Sequence, residues 1–287
     1  MTRPLRTVPP RDPDDAADLE RRRKYLAGPA ALLGGPANVV MQLSHAPVGR
    51  GVIESSVDSG RYDLRPNKRG RTTLTYLAVA MIGTDEDRAA FREAVNTAHR
   101  QVRTKPDSPI KYNAFDPKLQ LWVAACLYQG SVDSLTLLFG PMDEATTEDH
   151  YREAARFGTT LQVPQEMWPA DRAAFEAYWA EMEKELSLDD EVKKYLIEQV
   201  IELGPYPRFA QIAFAPVNRF FSTGFLPQAF RDQLGLRWSP RRQRLFERIM
   251  RTIGLIISKM PESVRLYPFE TYLADMRERR AQGKSLI

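Results

Sequence analysis

The sequence predicts an all-α protein, and three observations carry that reading. Apolar residues recur at three- and four-residue spacing in stretch after stretch, as at Phe91, Val95, Ala98 and Val102. Helix-start pairs, a capping side chain followed by proline, stand at Asp116-Pro117 and Ser239-Pro240, and glycine-proline stops stand at Gly34-Gly35-Pro36 and Gly140-Pro141. Nowhere is there a run of period-two alternation or an internal repeat. About nine helices in one domain are expected, with 1–18 as a flexible tail and 19–287 as a single helical domain.

The elements follow in order. Residues 1–18 are rich in Pro, Asp and Arg, the composition of a mobile tail. A short helix is expected over 19–33, before the Gly34-Gly35-Pro36 stop. From Ala37 to Ser56, Met41, Val48 and Val52 share a helical face with His45, and Pro47 kinks that helix or starts a new one. Residues 57–68 form a polar loop. A helix from Arg69 then has the stripe Thr73, Leu77, Ala80 and Met81 and ends at Gly83. Thr84 caps the next, with Asp85, Glu86 and Asp87 at the positive end of its dipole. After a loop over 104–114, Asp116-Pro117 opens a helix to Phe139.

Further helices are expected over 146–157, from Pro169 through Met182, and from Ser187 to Leu203. Pro207, Pro216 and Pro227 divide 206–237 into short, broken helices. The last helix starts at Ser239-Pro240, carries the stripe Leu245, Ile249, Ile253 and Ile256, and ends before Pro261.

Composition narrows the function. Lys plus Arg exceed Asp plus Glu by 41 to 37, a mild bias and no nucleic-acid signature. The basic run SPRRQRLFERIMR reads as an amphipathic helix with arginines on its wet side. Cys126 is the one cysteine, which rules out an internal disulfide and suits a reducing cytoplasm. The N-terminus lacks an apolar secretory segment, and the apolar region Tyr25–Leu43 is broken by glycine and proline, so a soluble, cytoplasmic protein is expected. Loose attachment to a membrane surface through the basic C-terminal helix stays open.

The histidines lie at 45, 99 and 150, too scattered for a zinc site by spacing. His99 flanks an apolar helical stripe, with Arg88, Arg92 and Arg103 on the same flank. An imidazole beside guanidiniums suits a flat apolar cofactor with anionic arms, because imidazole ligates iron and arginine grips carboxylates. Helical geometry alone equally describes, and by itself favours, an ordinary amphipathic helix with a half-buried histidine. Arg69 and Thr73, four apart, read either as a site for an anion or dioxygen or as a helix start with a surface arginine. His45 is a core residue or a ligand, Glu54 a base or a solvated side chain. His150, within the polar run EDHYREAARFG, is expected to be exposed. No dinucleotide, P-loop, HExxH, CxxC or GxSxG motif is present.

Several segments in fixed order do carry a resemblance. They are GPANVVMQLSHAPVGRGVIESS, RGRTTLTYLAVAMIGTDEDRAAFREAVNTAHRQVR, DPKLQLWVAACLYQGSVDSLTLLFGPM, YREAARFGTTLQVPQEMWPADRAAFEAYW and LGLRWSPRRQRLFERIMRTIG. Together they resemble the MpaB-type oxygenase family, which includes the catalytic domain of the rubber-cleaving latex-clearing proteins. The resemblance implies a globin-like core around heme b, with iron held by one histidine. His99 matches that ligand, and Arg103, four residues on, matches a heme or propionate contact. Arg69 and Thr73 match distal residues of the rubber-cleaving branch, whose lysine is replaced here by Thr72. Glu54 is the nearest counterpart of a glutamate base, at a different spacing, and His45 sits where relatives read His-Pro. The implied activity is a heme-dependent oxygenase or oxidase acting with dioxygen on an apolar small molecule, including oxidative C=C cleavage of an isoprenoid-like chain. The alternatives are a heme protein with peroxygenase, dehydrogenase or isomerase chemistry, and a helical ligand-binding protein without a redox cofactor.

Overall fold

A computed structural model describes residue 23, residues 26–57 and residues 60–287. The predicted tail at 1–18 and the first turns expected from residue 19 lie outside the described residues. After a 3-10 stretch at Gly28–Gly34, the chain forms α1 (Gly35–Leu43), α2 (Ala46–Ile53), α3 (Pro66–Ile82), α4 (Asp85–His99), α5 (Pro117–Phe139) and α6 (Glu144–Ala154). There follow α7 (Arg172–Lys184), α8 (Asp190–Tyr195), α9 (Arg208–Phe225), α10 (Gln228–Leu234), α11 (Pro240–Ile257), α12 (Glu262–Leu266) and α13 (Phe269–Ala281). The architecture is all-α, and the helices outnumber the nine expected. Short helices and turns such as Arg156–Thr159 split what periodicity reads as one element.

Local chemistry sets most boundaries. Pro47 starts a new helix rather than kinking the old one. Thr84 and Asp87 form a capping box, and Asp116 caps α5 before Pro117. The starts read at Pro169 and Ser187 fall at the next aspartates: Asp171 accepts from the Ala174 N–H, and Asp189 from those of Glu191 and Val192.

Helix α5 is the centre. Leu121, Ala124, Ala125 and Tyr128 serve one buried cluster, while Trp122, Cys126, Leu135 and Leu138 serve a second on another side. A helix buried all round shows little amphipathic signal. By length and composition α5 is also the one described helix apolar enough to cross a bilayer, but half of its apolar window is buried inside the fold. Trp122 anchors the second cluster, stacked on Trp179 with ring centroids 5.2 Å apart.

Four expectations need correction. Residues 208–225 are one continuous helix through Pro216. Proline removes the hydrogen bond to the carbonyl of Ile212, but Ile212, Ala213 and Pro216 are exposed, so water can satisfy that carbonyl. The core face of α11 is also different: Phe246, Met250, Gly254 and Ile257 are buried, whereas Leu245 and Ile256 are about half exposed. The buried row includes a glycine because the helix backbones nearly touch there. A Cβ on Gly254 would lie 1.8 Å from the Leu138 carbonyl oxygen.

His150 is fully buried, not exposed. It shares a face with Tyr151 and Ala154, its Nε2 lies 2.9 Å from the Ser131 hydroxyl, and its ring contacts Tyr128. Lastly, α13 was not anticipated. It packs along α3 through Phe269, Leu273 and Met276, and its Arg277 binds Asp87 at 2.6 Å.

Candidate functional site

Helices α3 and α4 form a hairpin about Gly83-Thr84. Arg69 lies in the first turns of α3, and His99 is the last residue of α4, so the hairpin returns them to the same end. There they line a cavity of about 250 Å³, just below the range of about 300–1,000 Å³ usual for small-molecule sites. Its apolar walls include Val48 and Val52 of α2, Phe91 and Val95 of α4, and Val123 and Leu127 of α5. Ile287, which follows the unanticipated α13, also reaches the wall.

The polar residues on the wall differ in what they have left to offer. The hydroxyls of Thr72 and Thr73 donate to the carbonyls of Lys68 and Arg69, each at 3.0 Å. The Tyr76 hydroxyl donates to the Phe157 carbonyl, and the Tyr112 hydroxyl to Glu54 at 2.9 Å. Gln120 donates to Ala114 and Gln162. The Arg69 guanidinium has no ion pair or hydrogen bond among the described residues, and neither ring nitrogen of His99 is hydrogen-bonded. Its Nδ1 is buried as well.

Burial explains the charge states. Desolvation, joined by the nearby positive charge of Arg69, lowers the His99 pKa to about 4. The imidazole is therefore neutral at pH 7. Arg69 is lowered too by burial, opposed by Tyr195. The Phe115 ring meets His99 edge-on, with ring centroids 6.2 Å apart. His150 is likewise pushed down to about 4 by burial.

These two histidines make stability fall in acid. Their folded pKa lies below the unfolded value near 6.5, so the stabilising difference is complete above pH 6.5 and is lost as pH falls towards 4. Thermal melts without added ligand should lose roughly 2 kcal/mol per histidine by pH 5. His150→Gln should remove its share of that slope, and a flat melting temperature from pH 7 to 5 would contradict the assignment.

The other residues singled out by sequence lie off this cavity. Arg92 donates to the carbonyls of Thr159 and Thr160, and Arg88 to the hydroxyls of the same two threonines, so both latch the turn after α6 to α4. His45 stands at the N-cap position of α2 without a capping hydrogen bond, its ring centroid 6.1 Å from that of Trp122. Glu54 accepts from Tyr112, Ser108 and Arg50 and is not on the wall. Its carboxylate ties down the strap 104–113, which places Tyr112 over Gly51. Arg103 is exposed at the root of that strap, where it pairs through its backbone with Asn113. It lines an outer hollow of about 460 Å³ with Lys111, and that hollow shares Pro47, Tyr112, Asn113 and Leu119 with the inner cavity. Tyr76 and Tyr112 were missed from sequence: Tyr112 sits in a loop, where periodicity is silent, and Tyr76 is off the α3 stripe.

Comparison with known proteins bears on this geometry. Residues 22–255 match the family model described as ER-bound oxygenase mpaB/B'/Rubber oxygenase, catalytic domain. An uncharacterized protein of Mycobacterium bovis and another of Mycobacterium tuberculosis are each 47% identical over 251 residues, covering 88% of this chain and 98% of theirs. No solved structure matches the chain. The family match runs from before α1 into the last turn of α11 and so contains the whole hairpin and every cavity-lining residue except Ile287; the chain belongs to the mpaB/rubber oxygenase catalytic-domain family.

Proposed function

We propose that this cavity takes a heme b with His99 as the iron ligand, and that the protein oxidises an apolar small molecule with dioxygen. Oxidative cleavage of a C=C bond in an isoprenoid-like chain is the leading case. The observation that carries the reading is the state of His99: neutral, largely buried, on an apolar wall, with no hydrogen bond at either nitrogen. Iron takes neutral imidazole. The buried Nδ1 of His99 is left without a partner, which is costly, and a ligand on the ring would relieve part of that cost. The oxygenase character of the family supports the reaction class.

Heme b, when bound, supplies one-electron and dioxygen chemistry. The protein's share lies in its side chains. Arg69 brings an unpaired charge and five N–H donors to a wall where Thr72 and Thr73 have already committed theirs. It is therefore the group that stabilises negative charge developing on oxygen, while the threonine methyls and Thr73 oxygen shape the space beside it. No lysine lines the inner cavity. Val48, Val52, Phe91 and Val123 exclude water and hold an apolar substrate by burial. Arg103 and Lys111 in the outer hollow suit a carboxylate arm that reaches the surface.

The visible spectrum of the purified protein tests this. A red-brown sample with a Soret band and one heme per chain is expected. A colourless protein that takes up no hemin overturns it.

A further inference from the structure

We propose that the outer faces of α9 and α11 dock the protein on an anionic lipid surface. The inference is independent of the heme. Helix α9 projects Phe209, Ile212, Phe214 and Val217 at 76, 70, 62 and 53% exposure. Helix α11 carries two ridges on the side away from its buried row. One is Arg241, Arg244, Arg248 and Arg251, all exposed at three- and four-residue spacing. The other is Leu245, Ile249 and Ile256, with Leu255 also exposed beyond them. The helices pack on each other through Phe220, Phe221 and Phe225 around Phe246, where Gly224 allows the closest approach.

The charges say what covers these faces. Elsewhere many surface arginines have carboxylate partners, among them Arg152, Arg172, Arg277 and Arg280. None of the four arginines of the α11 ridge is ion-paired to a described residue, and Arg237, Arg242 and Lys259 add exposed positive charge nearby. A helix with an arginine ridge beside an aliphatic ridge lies in the plane of a membrane interface. Its cations meet anionic headgroups, and its apolar side chains enter the acyl boundary. A symmetric contact with a second copy would instead set arginine against arginine. A nucleic acid would satisfy the arginines but leave the exposed apolar side chains Phe209, Ile212, Phe214 and Val217 in water.

Sedimentation of the full chain with vesicles tests the proposal. Binding is expected to vesicles of phosphatidylcholine mixed with phosphatidylglycerol, little to phosphatidylcholine alone, and salt should release most of the protein and leave a smaller salt-resistant part. The triple variant Arg244→Gln, Arg248→Gln, Arg251→Gln should bind roughly a hundredfold more weakly. Phe209→Ser with Ile212→Ser should leave low-salt binding and abolish the salt-resistant part. All five positions are exposed or half-exposed, and unchanged thermal melts confirm folded variants. Wild type left in the supernatant at low salt, binding insensitive to salt, or a triple variant that binds like wild type overturns the proposal. So does a wild-type dimer that ignores vesicles and that Phe209→Ser with Ile212→Ser dissolves, which assigns the face to a second copy.

Discussion

His99→Ala is expected to purify with most of its heme lost. Removing an outer-shell partner of a metal ligand costs about 10–100-fold in affinity, so removing the ligand itself should cost at least as much. His99 makes no hydrogen bond to a described residue, and its buried Nδ1 is unpartnered, so its loss breaks none among them. The melting temperature of the ligand-free variant should stay near that of ligand-free wild type. The cavity left by the ring should admit free imidazole, and added imidazole should restore a Soret band on titration with hemin. A His99→Ala protein with the wild-type spectrum would remove His99 as the ligand. A variant that loses heme and also melts early, without rescue by imidazole, would point to a packing role instead. Arg69→Gln separates the two halves of the site: it should keep heme and lose turnover, because the guanidinium faces the cavity without a protein partner.

Gly254→Ala should be the most damaging small substitution in the fold. In an exposed helix this change stabilises by about 1 kcal/mol. Here the new methyl would meet the Leu138 carbonyl oxygen at 1.8 Å and its carbon at 2.6 Å. Those are backbone atoms of α5, so relief requires α11 to move off the central helix. A loss of about 3 kcal/mol or more is expected, seen as a fall of roughly 6 °C or more in melting temperature. Leu245→Ala, on the outer ridge, should stay within about 0.5 kcal/mol of wild type. If Leu245→Ala were the damaging one and Gly254→Ala neutral, the packing face of α11 would be the other row.

That pair shows where sequence reading stops. Leu245, Ile249, Ile253 and Ile256 form the better aliphatic stripe on paper, and the row that is buried contains a glycine. Periodicity counts side chains, so it cannot see a contact made by the absence of one. His150 was misread for a similar reason. Its charged neighbours describe the wet side of α6, and its own side is set by Tyr128 and Ser131 on another helix.

The sequence by itself determined the class, most helix starts and stops, and the hairpin that returns Arg69 and His99 to one end. Those features rest on chemistry within a few residues: a threonine or aspartate that caps, a proline that can only begin, a glycine that can only end. The family resemblance added His99 as the residue to watch. Only the tertiary structure decided which polar groups remain free. Arg92 and Glu54 look as available as Arg69 in one dimension, yet the turn after α6 takes the donors of Arg92 and the strap 104–113 takes the carboxylate of Glu54. Such partners lie tens of residues away, and no local rule encodes them. The polar side chains of the cavity wall left without any hydrogen bond to a described residue are a guanidinium and a neutral imidazole, because packing gave each of the others at least one partner.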